Sequence, residues 1–460
     1  MTLIRNNTKR DTFDLMNGSI MLAVRNYRFV EVRTMIKRTF VFFTILLTFV
    51  TAGFGQSAEQ VFDRAMKDFQ ARSYQAAASG FAQYTQMAPT DPAGFNNLGL
   101  SYYLLDRCSD ALGAFASSIR LKSDSYVSWV YQGICQDKAS KYSDAVNSLK
   151  TAAGLQPNDP LAHSQLGLVY YGGKDYVESE RSMRRAVQLK PSDYFYRYRL
   201  GLALYEQERY GEAMAEAKES IRLKADYSYS HGLYGDTLYV AKQYKEAVTE
   251  YKESLRLRPG DASVIYQLGQ SYYGQKDYAS AIDSFREVVK LVPKDYDGWV
   301  YLGNSLDYEK RFTEAIDAYK EALKLRPDDA MAYSEIGIAY NRSGNYTEAE
   351  KYAREAIKRN PTRQKYQADL CSDLRQLKRF AEALVPCEES VRLDPKYVDG
   401  YYELGLLYRD MRNQALAQKK TVAAKGFEQK AMEQVAKIQP LDPGEAQRLS
   451  DIITPVKPNP

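Results

Sequence analysis

Glycine returns at a fixed interval through most of this chain. It stands at 99, 133, 167, 201, 235, 269, 303 and 337, each 34 residues after the last, and again at 405. The missing member of the series, Cys371, keeps the spacing, and Ala65 lies one step upstream of Gly99. Other columns march with it. An aromatic ring follows nine residues after most of these glycines, as at Tyr142, Tyr176, Tyr210, Tyr244, Tyr278, Phe312 and Tyr346. A small residue comes three further on, as at Ala111, Ala145, Ser179, Ala213, Ala247, Ala281, Ala315, Ala349 and Ala383. Proline closes many units, as at Pro89, Pro157, Pro191, Pro259, Pro293, Pro327, Pro361 and Pro395. Such a period means one supersecondary unit used many times, each copy touching mainly its neighbours, rather than several globular domains in series.

With position 1 set seven residues before each glycine, units begin at 58, 92, 126, 160, 194, 228, 262, 296, 330, 364 and 398. Apolar residues fall at positions 4, 7, 8 and 11, one face of a helix; Tyr333, Ile336, Gly337 and Tyr340 show the pattern. A helical glycine costs about 1 kcal/mol against alanine. Its recurrence at position 8 implies that two helix backbones approach there. The small residue at position 20 is the expected counterpart, with the position-17 ring filling the space beside them. Proline at position 32 stops the helix and resets the chain.

Units such as 330–363, with Tyr333, Ile336, Gly337, Tyr340, Tyr346, Ala349, Ala356 and Pro361, closely resemble the tetratricopeptide repeat. The resemblance covers eleven units over about 58–431. It implies an all-α fold: a right-handed superhelical solenoid of 34-residue helix-turn-helix repeats, with first helices lining a concave groove. The pattern weakens in three places. Repeat 1 carries Arg64 and Asp68 at core positions, repeat 10 carries Pro386 inside its second helix, where a kink is expected, and repeat 11 loses register after Asn413. Its long polar second helix reads as a solvating cap. The solenoid is therefore expected over 58–440. A proline-rich tail follows over 441–460, largely unstructured apart from a short helix.

The formal charge of +5 does not point to nucleic acid. Residues 1–55 hold eight basic and three acidic side chains, so the remainder is balanced at 55 of each. A neutral body lacks the positive field that phosphate binding needs. The basic end has its own logic. Met35 precedes Lys37 and Arg38, an apolar run over 39–50, and small residues at Gly53 and Gly55. This is the pattern of a cleaved secretory leader at 35–55, with a mature start at Gln56 and no membrane span left behind. Residues 1–34 have no such pattern and read as a gene-model extension or a disordered segment. The expected location is periplasmic or secreted.

Four cysteines remain in the mature chain, and an exported chain can oxidise them. Repeat geometry, by the resemblance, sets Cys371 (position 8) against Cys387 (position 24), and Cys108 (position 17) against Cys135 (position 10) of the next repeat. His163 and His231 both occupy position 4, in separate repeats with no ligand cluster, so no metal site is expected. No nucleophile elbow, P-loop or dinucleotide glycine motif occurs, and no cofactor or catalytic residue is assigned.

Function is expected in the groove. By the resemblance, positions 2, 5, 9, 12 and 13 face it. Position 12 contributes Tyr103, Tyr171, Tyr205, Tyr239 and Tyr273, position 5 Tyr198 and Tyr266, and position 2 Phe195 and Tyr229. Tyrosine offers a flat apolar face and a hydroxyl at low entropy cost, suited to an extended peptide or a sugar ring. The same rings could instead pack on one another and stiffen the wall. Later repeats turn polar, with Asp297, Asn304, Asp307, Arg342, Lys365, Arg375 and Arg409. Position 5 never holds lysine, so the carboxylate-gripping set of some members of the family is missing. The expectation is a non-catalytic scaffold for a protein segment. The alternatives are a polysaccharide-binding or export accessory and the recognition subunit of a separate enzyme.

Overall fold

The computed structural model describes residues 56–454. The leader expected at 35–55, the segment 1–34 and the end of the tail lie outside the described residues. Within them the fold is all helical, with 23 helices and no strand. It is a helical-repeat fold. Helix pairs follow the 34-residue period: a first helix of 13 residues, as in Tyr194–Glu206, and a second of 14, as in Tyr210–Leu223. The chain forms two compact units, one ending at Gln243 and one starting at Tyr244.

Local chemistry explains the punctuation. Aspartates at the last position of a repeat cap the next helix, as Asp261 does by accepting from the amides of Ser263 and Val264. The first helix ends with one residue in the left-handed region, at position 15: Lys174, Lys276 and Lys310 have φ of 65°, 63° and 60°. The amide of Lys174 donates to the carbonyl of Tyr171, and that of Asp175 reaches back to Tyr170, a reversal that satisfies the last free carbonyls. Position 4 has a matching task. Trp129, His163, His231 and Trp299 each direct a ring nitrogen to the carbonyl six residues upstream, at 2.8 to 3.1 Å. A carbonyl can only accept, so each histidine Nε2 carries a proton. Both histidines thus tie repeat to repeat.

The position-8 glycines do mark close approach, but the expected filler needs correction. At Gly99, Gly133, Gly167, Gly269 and Gly303 the residue lying over the glycine is at position 24, whereas Gly201, whose position 24 is Ala217, lies under Leu233 of the next repeat. A Cβ on Gly99 would sit 2.5 Å from the Phe115 ring, on Gly133 2.6 Å from Leu149, and on Gly303 2.5 Å from the Tyr319 ring. The position-20 carbonyls lie close as well, Ala145 at 3.2 Å and Ala213 at 3.4 Å. The position-17 ring serves the turn instead: Tyr142 covers Gly173, and Tyr244 covers Gly274. Tyr319 is held by its hydroxyl donating to Asn304 at 2.7 Å, so it cannot swing away cheaply.

One substitution should therefore act in opposite directions at two helical glycines. Gly303→Ala should lower urea stability by about 1 to 2 kcal/mol, overpacking outweighing the gain in helix propensity. Gly426→Ala, with nothing within 4 Å of the added carbon, should raise it by about 0.5 to 1 kcal/mol. Equal effects at both sites would refute the packing account.

Repeat 11 departs from the period. Its first helix, Val398–Ala417, has 20 residues against the usual 13, and its second, Thr421–Ile438, has 18. The extra seven residues are two turns, which keeps the buried face aligned. The left-handed residue moves with them, to Lys419. The tail opens with the short helix expected there. Pro443–Ile453 is a helix capped by Asp442, and Ala446, Leu449 and Ile453 are fully buried. Leu449 occupies the space over Gly405 that a position-24 residue fills elsewhere. This last helix closes the apolar end of the stack. The second helix of repeat 10, Phe380–Leu393, runs through Pro386.

Candidate functional site

Positions 2, 5, 6, 9 and 12 recur at i, i+3, i+4, i+7 and i+10, so they share one stripe of each first helix. In the N-terminal unit the first helix of repeat 5 shows its composition: Phe195, Tyr198, Arg199, Leu202 and Tyr205. The structure separates the expected groove residues into two sets. Tyr103, Phe195 and Tyr198 are buried, with 2, 6 and 3 % of their surface exposed. Tyr103 packs on Tyr131 at 5.0 Å, and burial lifts its hydroxyl to a pKa of about 12. These three belong to the wall, which corrects their assignment as contact surface. Tyr171, Tyr205, Tyr229 and Tyr239 are half-buried and remain reachable. In the C-terminal unit Tyr266 and Tyr273 are half-buried too.

The reachable rings are braced from below. Three position-12 rings meet the position-17 ring of their own repeat edge to face: Tyr171 on Tyr176 at 5.5 Å, Tyr205 on Tyr210 at 5.2 Å, Tyr273 on Tyr278 at 5.4 Å. Such pairs are rigid and leave one ring face outward. The Tyr171 hydroxyl bonds Glu206 of the next repeat at 3.2 Å. Burial, and then nearby acids and tyrosines, hold the hydroxyls of Tyr171 and Tyr205 protonated far above neutral pH. They are hydrogen-bond donors, not bases. Tyr229 extends the patch, lying 5.3 Å from Tyr227 and 6.0 Å from Tyr198. In the C-terminal unit Tyr266 packs on Phe285 at 5.7 Å and Tyr301 at 5.8 Å.

Most polar residues of later repeats are already paired within the protein. Asp307 pairs with Arg342, Arg375 with Glu403 at 3.2 Å and Asp410 at 3.1 Å, and Arg409 with Asp410 at 2.6 Å. Their carboxylate partners include a column absent from the sequence reading. Position 6 of repeats 9, 10 and 11 holds Glu335, Asp369 and Glu403. Lys365 answers the first two, at 3.7 and 3.3 Å. Burial pushes all three carboxyls up. Asp373, one turn on from Asp369, is more isolated. It is 2 % exposed, accepts from Asn341 at 2.6 Å, and is pushed up to about 8 by burial. A helical wheel of the first helices would have put position 6 on the groove stripe.

The four cysteines are paired. Cys108 is joined to Cys135 and Cys371 to Cys387, with Cα atoms 5.1 Å apart in each pair. In repeat 10 the bridge replaces the contact between glycine and large residue made elsewhere by positions 8 and 24. No cluster fit to hold a metal ion occurs among the described residues. No described helix is long and apolar enough to cross a membrane.

These helix pairs define a class, and family models agree. Tetratricopeptide repeat models match residues 180–228, 266–330 and 302–363, and further TPR models match 138–172 and 235–276. The matches support the tetratricopeptide repeat family. Among solved structures, the chain is similar to YrrB, described as a TPR protein with an unusual peptide-binding site. Identity is 20 %, coverage 43 % of this chain and 99 % of that one, and the TM-score 0.39. It is also similar to the C-terminal part of a TPR repeat-containing protein from Cytophaga hutchinsonii, at 18 % identity, 52 and 98 % coverage and a TM-score of 0.44. MamA matches at 22 % identity, 38 and 94 % coverage and a TM-score of 0.36. No curated protein matches the sequence.

Proposed function

We propose that this chain is a non-catalytic scaffold that holds an extended protein segment against the tyrosine-rich stripe of its N-terminal unit. The observation that carries this reading is the set of half-buried rings, Tyr171, Tyr205, Tyr229 and Tyr239, on the groove positions of successive first helices, with Tyr171 and Tyr205 braced by Tyr176 and Tyr210. Braced rings lose little entropy on binding, and a hydroxyl such as that of Tyr205 supplies a donor for a peptide backbone. Many modest contacts then replace one deep pocket. Export belongs to the same proposal, supported by the leader pattern at 35–55 and by the two cystines.

The test is capture by the purified chain from a cell-envelope extract, followed by affinity measurement with the recovered partner. Tyr171→Ala, Tyr205→Ala and Tyr239→Ala together should weaken capture at least about tenfold while leaving helicity intact. Unchanged recovery would remove the groove from consideration.

A further inference from the structure

The long hairpin of repeat 11 ends in a tip that the rest of the protein leaves uncovered. In other repeats the second-helix residue lying against the position-8 glycine follows it by 16 places, as Phe115 follows Gly99 and Tyr319 follows Gly303. Against Gly405 the second helix places Gln434, 29 residues on. Both arms are therefore longer by about two turns, which carries the tip about 10 Å past the level where the other repeats turn. Val422 at this tip is 87 % exposed, the most exposed large apolar side chain among the described residues, and Leu416 is 51 % exposed. Ala415 and Ala424 are the small buried residues between the arms. Lys419, Lys420 and Lys425 are exposed on the same turn, and none has a carboxylate partner among the described residues. The other repeats supply an internal control. Just after the turn, positions 16 and 19 form an ion pair: Arg107 with Asp110, Arg209 with Glu212, Arg311 with Glu314 and Arg379 with Glu382, at 2.5 to 2.7 Å. Counted from the left-handed Lys419, the same places in repeat 11 hold Lys420 and Ala423. From Met411 to Phe427 the chain has four basic side chains and no acid. Of the four only Arg412 is engaged, with Glu428 at 3.7 Å and the carbonyl of Ile453 at 2.7 Å.

We propose that this tip docks on an anionic lipid surface, with Leu416 and Val422 entering the headgroup layer and Lys419, Lys420 and Lys425 lying against lipid phosphates. Charge and shape select this occupant. A stable protein contact buries about 800 Å² on each partner, and the end of one hairpin is too small and too convex to supply that area. A lipid interface needs no matching pocket. It takes up apolar side chains at the boundary between headgroups and acyl chains, and its negative charge draws in lysines. Long lysine stems lie along the apolar layer while their ammonium groups stay at the phosphates. Basic and acidic side chains balance over the rest of the chain beyond residue 55, so the attraction is local to the tip. The contact is peripheral, since no described helix is long and apolar enough to cross a membrane. It uses none of the groove residues and stands independently of the groove reading.

The experiment titrates the full chain with lipid vesicles. The apolar run over 39–50 is itself able to bind lipid, so the readout is local to the tip. Val422→Trp supplies a fluorescent reporter there, and subtracting the wild-type spectrum removes Trp129 and Trp299. Vesicles of equal parts phosphatidylglycerol and phosphatidylcholine should shift the reporter to the blue. Pure phosphatidylcholine vesicles should need at least about tenfold more lipid for the same shift. Lys419→Gln, Lys420→Gln and Lys425→Gln together, in the reporter chain, should abolish that difference. Leu416→Ser should weaken the shift on anionic vesicles at least about fivefold. All of these side chains are exposed, so helicity should be unchanged. A reporter that stays in water on anionic vesicles would overturn the proposal. So would an equal response to both lipids, or a preference for anionic lipid that survives the three lysine substitutions. A reporter moved by poly-glutamate and not by vesicles would overturn it in favour of an acidic protein partner.

Discussion

Asp373→Asn should make the protein more stable at pH 8, by roughly 5 kcal/mol, and at pH 5 by only about 1.5 kcal/mol. The sign follows from proton linkage. The Asp373 carboxyl is 2 % exposed and pushed up to about 8, first by burial and then by Asp369, Glu350 and Glu403 nearby. The hydrogen bond from Asn341 works against this and is outweighed. In the unfolded chain the group returns to about 4. Between those values the folded state holds a proton that the unfolded state has released. Stability therefore falls as pH rises from about 4 through 8. A side-chain amide is neutral throughout, and its oxygen can still accept from Asn341. Glu335, Asp369 and Glu403 are also raised by burial and add slopes of the same sign, so the difference between wild type and variant isolates Asp373. Urea titrations at pH 5 and pH 8, followed by helical circular dichroism, give the answer. A variant less stable than wild type at pH 8 would mean that the ionised carboxylate holds the repeats together.

The fold was legible because its driving pattern is local and repeated. Glycine at position 8 and proline at position 32 cost stability in any ordinary helix, so their return at a constant interval demands a geometric cause. The partner of that glycine was harder to read. Position 24 carries Phe115, Leu149, Met183, Phe285 and Tyr319 in some repeats but Ala217 and Ala353 in others, a column fixed neither in bulk nor in identity. The last helix was legible only as a short one in a proline-rich tail, and its burial was not. Asp442 and Pro443 open it and Ala446, Leu449 and Ile453 stripe it, but the prolines around them suggested a tail. The stripe itself was half legible. Positions 2, 5 and 12 were assigned to it, but burial depends on how far each repeat leans on the next, which no spacing records. Tyr103, Phe195 and Tyr198 therefore joined the wall while Tyr171 and Tyr205 stayed reachable. Arg199 was missed because position 6 was left out of the stripe.

Breaking the two cystines should cost the folded protein about 3 kcal/mol each, with the loss falling on different parts of the chain. Cys371–Cys387 closes a loop of 16 residues and Cys108–Cys135 one of 27. Closing loops of these lengths removes entropy from the unfolded chain worth about 3 kcal/mol. Repeat 10 has particular need of its bridge. Pro386 removes one backbone donor from the second helix, and position 8 is Cys where other repeats have glycine under a large residue. Without the covalent bond, two small thiols are left to fill that space. Stacked repeats draw stability from their neighbours, so a weak repeat opens its flanks as well. Cys371→Ala with Cys387→Ala should therefore expose the amides of Gln364–Gln376 and Phe380–Leu393 to hydrogen exchange first, and the Cys108/Cys135 pair those of Cys108–Leu121 and Tyr126–Lys138. Dithiothreitol should lower the melting temperature of wild type and leave the fourfold alanine variant unaffected. Protein recovered from cells with thiols blocked at lysis should carry no label on these cysteines, as expected of a chain oxidised after export. Full labelling of all four in a folded protein would place it in a reducing compartment and remove the case for export.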